Sequence, residues 1–169
     1  IWYVERRGKS WSEPINAGSN INTKNNEYYI SFTENGTMYF SSNKRNSENR
    51  QQSFDIYYST YKNGKFQKAV VLSAAINTKY YEADVFIDPK EQYIIFCGNR
   101  PEGLGRGDLY ISFKNTDGTW TKSVNMGNKI NTKGHELCPY VSTDGKYFFY
   151  TSNQDIYWVS TKAFDELRK

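Results

Sequence analysis

The chain has 169 residues, a length that suits one domain with its own hydrophobic core. Its formal net charge of +4 is mildly basic, and its cationic residues fall mostly in turn-like segments, which argues against nucleic-acid binding. No apolar run approaches the length of a membrane span, and no segment of this sequence has the pattern of a secretory signal. Aromatic residues make up 17% of the chain, so tyrosine and phenylalanine must supply much of the core.

An internal repeat organises the sequence. The tetrapeptide Ile-Asn-Thr-Lys begins at Ile21, Ile76 and Ile130. Four further kinds of residue keep the same register: an aromatic residue before each copy, a glutamate after it, an asparagine after the second apolar run, and an aspartate that opens a third run. These residues are Trp11, Phe66 and Trp120; Glu27, Glu82 and Glu136; Asn43, Asn99 and Asn153; and Asp55, Asp108 and Asp155. A repeat of this period is typical of propellers, solenoids and other arrays.

In chain order, the predicted elements begin in the middle of a unit. A partial unit covers 1–20, two complete units cover 21–75 and 76–129, a three-strand unit covers 130–160, and a tail covers 161–169. The first five residues match the third strand of a unit, and a fourth strand is predicted to start near Trp11 and again near the equivalent aromatic residues. Helical periodicity is absent, except that the tail has apolar residues that could share one face.

Each unit reads as four short strands. Runs of aromatic and β-branched residues are separated by tight-turn sequences, such as Asp144-Gly145 in the third copy. Four antiparallel strands that repeat along the chain are typical of propeller blades. The sequence therefore predicts an all-β chain of about three β-propeller blades plus an incomplete one.

The number of predicted strands does not fill a ring. Two, four, four and three strands leave sheet edges unpaired, whereas a closed propeller removes them. We therefore expect this chain to be the C-terminal part of a longer propeller. An open arc and a ring completed by another chain are the alternatives.

The repeat resembles the TolB-type, WD-like (PD40) β-propeller repeat of bacterial cell-envelope proteins, particularly those of Bacteroidetes, which are sometimes fused to an OmpA-like peptidoglycan-binding domain. The middle copy departs from the pattern, with Asp88-Pro89-Lys90-Glu91-Gln92 at the turn and Cys97-Gly98 at the end of the second strand. The residues that carry the resemblance are Trp120 to Val124, Gly127, Ile130-Asn131-Thr132, Glu136, Pro139, Ser142, Asp144-Gly145-Lys146, Phe149, Ser152 and Asp155-Ile156-Tyr157.

The resemblance implies a periplasmic or outer-membrane-associated scaffold. It also implies a partner that is a protein or peptide of the envelope, or a glycan such as peptidoglycan, and no assigned chemistry. We expect no cofactor, no metal and no catalytic residues in such a module.

Glu27, Glu82 and Glu136 are the candidate binding residues. Each precedes the first strand of its unit, which lines the central channel in a propeller, so the three carboxylates could bind a cation or a basic peptide at the channel mouth. The alternative is a brace between blades, in which each carboxylate accepts hydrogen bonds from backbone amides or from Arg45 and Arg100. Recurrence in every unit favours the brace.

The other recurring polar residues are interpreted as structural. The three aspartates stand where a loop enters a strand, and an aspartate there readily caps free backbone donors. The three asparagines are expected to serve the same loop.

No catalytic constellation is recognised in the sequence. The glycine-rich segment Gly103–Gly107 leads into a strand, so it lacks the helix N-terminus of a phosphate site. Asn115–Trp120 is similar to the Asp-box turn of sialidases, which is itself structural. Asp84, His135 and Cys138 break the repeat but form no recognised set.

Two cysteines, Cys97 and Cys138, lie in different strands of successive units, and free thiols are favoured over a disulfide. Of the functions considered, a binding and scaffold module is favoured over the propeller of a hydrolase, either a glycoside-acting enzyme or the gating domain of a serine peptidase. A spacer is the third alternative.

Overall fold

The computed structural model describes residues 1–44 and 53–168. Strands dominate this part of the chain, and all named strand pairs are antiparallel. The strands are β1 (Trp2–Tyr3), β2 (Arg6–Arg7), β3 (Ser10–Trp11), β4 (Ile15–Asn16), β5 (Glu27–Phe32), β6 (Met38–Ser42), β7 (Asp55–Ser59), β8 (Tyr61–Lys62), β9 (Lys65–Phe66), β10 (Val70–Val71), β11 (Tyr81–Ile87), β12 (Tyr93–Asn99), β13 (Asp108–Phe113), β14 (Val124–Asn125), β15 (Leu137–Val141), β16 (Tyr147–Ser152) and β17 (Asp155–Ser160).

The larger strands form successive sheets with the same internal order. Strands β5, β6, β7 and β10 form one four-stranded sheet, and β11 to β14 form the next. Strands β15, β16 and β17 form a three-stranded sheet, while β1 pairs with β4. The predicted all-β architecture of repeated four-stranded sheets is confirmed. We name these the first sheet (β5, β6, β7 and β10), the second sheet (β11 to β14) and the third sheet (β15 to β17).

The first strands of the three sheets, β5, β11 and β15, lie beside one another, and we call them the opening strands. Strand β11 contacts both β5 and β15. The Tyr28 hydroxyl lies 2.7 Å from the Tyr81 hydroxyl, and the Ile87 amide donates to Ser31 Oγ over 3.0 Å. Polar side chains near the opening strands therefore come from sequence positions about 55 residues apart and still meet.

Three hydrophobic clusters fill the spaces between sheets. Phe40 and Ile21 belong to the cluster between the β1–β4 pair and the first sheet. Phe96 and Ile56 belong to the next cluster, and Phe148 and Ile111 to the cluster between the second and third sheets. The core is thus distributed between layers, because each thin sheet buries apolar side chains against the sheet beside it.

The predicted fourth strands begin later than expected. Trp11 and Phe66 lie in two-residue ribbons, in which β2 pairs with β3 and β8 with β9, and Trp120 makes an isolated bridge with Lys114. The fourth strands themselves are β4, β10 and β14, which start four residues after each aromatic residue. The hairpin between the third and fourth strands extends beyond the sheet before the chain returns, so the aromatic residue marks the hairpin and not the strand.

The tail forms a 3-10 helix, Thr161–Leu167, in which Ser160 Oγ accepts a hydrogen bond from the Lys162 amide. Phe164 is buried in the cluster between the second and third sheets, and Leu167 packs against it. Among residues 1–44 and 53–168, no helix is long and apolar enough to cross a membrane.

The Ile-Asn-Thr segment joins each sheet to the one before it. Ile21, Ile76 and Ile130 are almost completely buried, and burial of an isoleucine side chain stabilises the fold by about 1.5–3 kcal/mol. The side-chain amide of the asparagine that follows pairs with backbone groups in the way that a peptide group of a neighbouring strand would. Asn131 Oδ1 accepts from the Leu109 amide over 2.8 Å, and Asn131 Nδ2 donates to the Leu109 carbonyl over 2.9 Å.

The same amide clamp occurs at every joint. Asn77 accepts from the Ile56 amide and donates to the Ile56 carbonyl, and Asn22 contacts the nitrogen and the carbonyl of Ile1. In the second and third copies the clamped residue, Ile56 or Leu109, directly follows the recurring aspartate. The repeated tetrapeptide therefore belongs to a joint between sheets, and not to any strand.

Asn131→Ala is expected to destabilise the chain by about 2–4 kcal/mol, because it leaves the buried amide and carbonyl of Leu109 without a partner. Urea unfolding measures the change. Asn128→Ala is the matched control: Asn128 is exposed in the same loop, and its replacement is expected to change stability by less than about 0.5 kcal/mol. Equal effects of the two substitutions would contradict the clamp.

Candidate functional site

The three recurring glutamates have matching hydrogen-bond partners. Glu136 Oε2 accepts from the Thr132 amide over 2.9 Å, and Oε1 accepts from Thr132 Oγ1 and from Ser152 Oγ over 2.8 Å and 2.7 Å. Glu27 has the equivalent partners, with a serine of the neighbouring second strand as the third donor. Each carboxylate thus ties the Ile-Asn-Thr joint to the sheet that follows it.

The second copy replaces the serine by an arginine from another position. Gly98 stands where the other units have Ser42 and Ser152, and Arg100 Nε donates to Glu82 Oε1 over 3.0 Å. The remaining guanidinium nitrogens of Arg100 donate to Ser123 Oγ and to the Ile76 carbonyl, and its guanidinium lies 4.3 Å from the centre of the Tyr110 ring. A Cβ at position 98 would approach that ring within 3.1 Å, so glycine leaves space for the Tyr110–Arg100 stack.

These contacts support the brace as the role of the three glutamates. Glu82 and Glu136 are completely buried and Glu27 is half-buried. Among residues 1–44 and 53–168, no three His, Cys, Asp or Glu side chains are grouped so that they could hold a metal ion. The second predicted arginine partner, Arg45, lies outside the described residues.

The recurring aspartates differ in their surroundings. Asp108 is buried and accepts from the Leu104 and Gly105 amides and from Asn125 Nδ2, over 2.6–3.0 Å. Asp55 is buried, whereas Asp155 is exposed and accepts from the amide of the next residue. Asp108 therefore caps the donors of the loop that precedes its strand, as an aspartate at a loop-to-strand junction is expected to do.

The recurring asparagines do not all serve that loop. Asn43 Oδ1 accepts from the amide of Asn26, just before the first strand of its own unit. Asn153 has a positive φ of 51° and lies beside Gly134, the equivalent segment of the third unit. Asn99 is exposed. Two of the three asparagines thus contact the segment that leads into the first strand. They do so because the end of the second strand lies beside the start of the first strand in the folded sheet.

A β-bulge interrupts the opening strand of each sheet at the same place. The register shifts between Tyr28 and Ser31 in the first sheet, and at the equivalent positions of the other two. The bulged residues are Tyr29, Asp84 and Cys138, whose φ angles of 54°, 53° and 56° are all positive. Non-glycine residues adopt this conformation at a cost of about 1–2 kcal/mol each. Bulges re-aim side chains and are common next to binding sites.

The bulges bring together three residues that the sequence left unconnected. Cys138 lies near both other bulged residues: its side chain contributes to the raised pKa of Tyr29, and its backbone to the pKa of Asp84. Cys97 and Cys138 are free thiols, and Cys97 Sγ lies 3.7 Å from Nε2 of His135. Sequence reasoning singled out Asp84, His135 and Cys138 but omitted Tyr29. The signal for Tyr29 is its position two residues after a recurring glutamate.

Asp84 is the titratable group of this cluster. It is 5% exposed, and burial raises its pKa to about 6, while the hydrogen bond from the Cys138 amide acts in the opposite direction. Burial also raises the pKa of Cys97 above the usual range of a thiol, so this thiol stays protonated and is a poor nucleophile.

A cavity of about 450 Å³ opens where the first hairpins of the three sheets meet. Ser31, Phe86 and Tyr140, which stand at equivalent positions two residues beyond the bulged residues, all line it. Phe32 and Tyr140 are 45% and 52% exposed. We call this space the hairpin cavity. It lies at the end of the opening strands opposite to the three glutamates, so the predicted mouth residues are not part of it.

A second cavity, of about 520 Å³, lies next to the hairpin cavity and has the opposite charge. Lys90, Lys114, Lys122 and Arg168 line it together with Glu91. We call it the basic cavity. Lys114 is paired with Glu91 over 2.8 Å, which leaves three cationic side chains at its border.

The sialidase-like turn has a local structural role. The Thr119 amide and Oγ1 donate to Asp117 Oδ1 over 2.9 Å and 2.7 Å, and Gly118 has a φ of 83°. The buried Arg100 uses all three of its guanidinium nitrogens within the protein, where they donate to Glu82, Ser123 and the Ile76 carbonyl.

Solved structures with the same architecture include two TolB proteins. A putative TolB from Agrobacterium tumefaciens aligns with a TM-score of 0.59 at 14% identity, covering 89% of this chain and 50% of that one. TolB from Acinetobacter baumannii aligns with a TM-score of 0.51 at 15% identity, covering 96% and 38%. The chain has the TolB-like β-propeller fold. The sequence resemblance is thereby confirmed at the level of the fold.

A sialidase also shares this architecture. The Hadza microbial sialidase Hz136 aligns with a TM-score of 0.50 at 15% identity, covering 78% of this chain and 34% of that one. The chain spans half or less of the length of each of these three proteins. No protein-family model matches it, and no curated protein matches it.

The three glutamates are expected to differ in their contribution to stability. Glu82→Gln leaves the buried Arg100 without its counter-charge and is expected to cost about 3–5 kcal/mol, whereas Glu27→Gln is expected to cost less than about 1 kcal/mol because Glu27 is half-buried. Urea unfolding measures both changes. A calcium titration by calorimetry is the companion measurement, and saturable Ca²⁺ binding that all three Glu→Gln substitutions abolish would contradict the brace.

Asp84 is expected to make stability depend on pH. Its folded-state pKa of about 6 is raised above the unfolded value of about 3.9, so the folded state loses relative stability as pH rises from about 4 to 6. Asp84→Asn removes this loss and is expected to be more stable than the wild type by about 3 kcal/mol at pH 8, with no difference below about pH 4.

Asp117→Asn is the control of opposite sign. Hydrogen bonds from the Thr119 side chain and amide lower the pKa of Asp117, so its contribution is present at neutral pH and is lost as pH falls. Urea unfolding between pH 3 and 8 separates the two substitutions. A pH-independent effect of Asp84→Asn would contradict the raised pKa.

Proposed function

We propose that this chain is a non-catalytic binding and scaffold propeller of the bacterial cell envelope, which presents its loops and the mouth of its channel to a protein, peptide or glycan partner. The observation that carries the proposal is a division between two sets of residues. Recurring polar residues are used in the joints between sheets, and non-recurring residues line the hairpin cavity. The proposal needs no cofactor and no metal.

The size and composition of the hairpin cavity suit a binding surface. Ligand sites in proteins have volumes of about 300–1,000 Å³ and combine apolar walls with a few polar groups, and the hairpin cavity has about 450 Å³. Phe32 and Tyr140 are exposed aromatic residues at its border, and exposed aromatic side chains are enriched at sites of protein contact.

The envelope location and the kind of partner rest on the sequence resemblance. The TolB-type repeat implies a periplasmic or outer-membrane-associated protein, and the TolB structures support the fold that this resemblance predicted. The repeat period, the joints and the hairpin turns agree with that family pattern.

The alternative function is the propeller of a hydrolase. The sialidase that shares the architecture and the Asp-box-like turn at Asn115–Trp120 favour this alternative. The turn argues less strongly, because its hydrogen bonds close its own hairpin. A substrate screen separates the two functions.

Affinity capture from a bacterial envelope extract, with the chain immobilised, tests the binding role. A partner retained by the wild type is expected to be lost with the double variant Phe32→Ala/Tyr140→Ala, because both side chains border the cavity. Trp158→Ala is the matched control, since Trp158 is a similarly exposed aromatic residue on β17. In parallel, fluorogenic glycosides, sialosides and peptides are expected to show no turnover. Reproducible turnover by the isolated chain would contradict the proposal.

A further inference from the structure

Aromatic rings form one wall of the hairpin cavity. Phe86 of the second sheet meets Tyr140 of the third sheet edge-to-face, with ring centres 6.0 Å apart, and Tyr93 lies 6.4 Å from Phe86. Phe32 of the first sheet adds a fourth ring at the border of the cavity. The bulges place Phe86 and Tyr140 at equivalent positions at this end of their strands, and Phe32 and Tyr93 complete a wall to which all three sheets contribute.

Carboxylates from the three first hairpins border the same cavity. They are Glu34, Asp88 and Asp144, one from each sheet, and Lys90 is the single cationic residue among the lining residues. The lining residues therefore have a formal charge of −2, and Lys146, which is not one of them, pairs with Asp144 over 3.3 Å. Counting Lys146 leaves an excess of one negative charge, although the whole chain has a net charge of +4. Asp88 and Asp144 also cap their own turns, and their carboxylates accept the Lys90 and Lys146 amides. Glu34 is exposed, and its backbone amide ties its hairpin to the Pro89 carbonyl.

The combination of aromatic faces and excess negative charge selects an organic cation. A cation over an aromatic face gains about 0.5–2 kcal/mol, and the methylene stem of a lysine or arginine packs on apolar walls while its head stays near carboxylates. A bare metal ion would need several converging oxygen ligands, and no such group exists among the described residues. A neutral glycan would use the rings but would gain nothing from the charge.

The adjacent basic cavity sharpens this selectivity. Three cationic side chains border it that form no ion pair with another residue of 1–44 or 53–168, and Lys90 lines both cavities. An acidic segment of a ligand is therefore attracted to the neighbouring surface and not to the hairpin cavity. Charge complementarity of this kind fixes which part of a partner lies where.

We propose that the hairpin cavity binds a lysine or arginine side chain of a partner polypeptide, with the exposed rings of Phe32 and Tyr140 and the carboxylate of Glu34 as its recognition groups. This inference rests on the proposed binding function and names the chemistry of the partner. It assigns the cation-binding role to the end of the opening strands opposite to Glu27, Glu82 and Glu136.

Isothermal titration of the 169-residue chain with short synthetic peptides tests the inference. Trilysine and triarginine are expected to bind, whereas trilysine with acetylated side-chain amines is expected to bind at least about tenfold more weakly, because acetylation removes the charge. Triglutamate and chitotriose complete the set. Equal affinity for acetylated and free trilysine, tighter binding of chitotriose, or no binding of either basic peptide would overturn the inference.

Substitutions in the cavity provide the second arm. Tyr140→Leu keeps an apolar side chain but removes the ring face, and is expected to weaken trilysine binding about three- to tenfold. Glu34→Gln is expected to weaken it about two- to fivefold and to reduce its dependence on salt. Glu13→Gln is the matched control: Glu13 is exposed and lines none of these cavities, so the same chemical change is expected to leave the affinity unchanged.

The two proposals fail in different ways. If Glu34→Gln, Tyr140→Leu and Glu13→Gln all bind trilysine as the wild type does, the cavity is not the site and the inference is wrong. If an envelope partner is still captured by the Glu34→Gln and Tyr140→Leu variants, the binding function stands without the cationic side chain. Because Glu34 and Tyr140 are exposed, urea unfolding is expected to show native stability for both variants.

Discussion

The structure depends on one polar joint that recurs between sheets. A buried isoleucine anchors the joint, the next asparagine clamps the amide and carbonyl of the preceding third strand, and the next threonine caps the glutamate of the following first strand. The Glu136 amide also donates to the Gly107 carbonyl of the preceding unit. Buried backbone groups must be paired, and thin sheets packed face to face leave such groups at their ends. The joint satisfies these groups and sets the spacing of neighbouring sheets at the same time.

The second unit shows that the joint tolerates exchange of its parts. Arg100 takes the place of a serine hydroxyl because Gly98 leaves space for its guanidinium. The turn of this unit also lacks the usual glycine, and Glu91 adopts a φ of 56° there. Hydrogen bonds from the Tyr39 hydroxyl of the first sheet and from Lys114 Nζ of the same unit hold the Glu91 carboxylate, and these contacts offset the cost of the left-handed conformation. The unit that departs from the repeat thus has two ion pairs of its own, Arg100–Glu82 and Lys114–Glu91, besides the hydrogen bond from Tyr39 of the first sheet.

Recurrence separates the residues of structure from those that can differ in function. The bulge in each opening strand is common to all three sheets, but its residues are Tyr29, Asp84 and Cys138. Beyond the bulge, Ser31, Phe86 and Tyr140 reach a common cavity. The bulge, which all three sheets share, thereby places side chains that differ between sheets around the hairpin cavity. The joints form a constant scaffold, and the ends of the opening strands form a surface whose chemistry is specific to this chain.

The sequence by itself determined the repeat, the strand content, the hairpin turns and the fold class, because these depend on local alternation and on turn residues that leave a visible pattern. It also marked every joint, since Ile-Asn-Thr and the glutamates recur in register. Only the tertiary structure decided that the asparagine clamps the preceding sheet, that Tyr29, Asp84 and Cys138 meet, and that acidic and aromatic residues surround one cavity. These relations join residues about 55 positions apart, and their geometry depends on bulges and on the angle between sheets. Neither the bulges nor the angle between sheets leaves a periodic pattern in a single sequence. The sequence therefore identified the joints more fully than the surface at the ends of the opening strands.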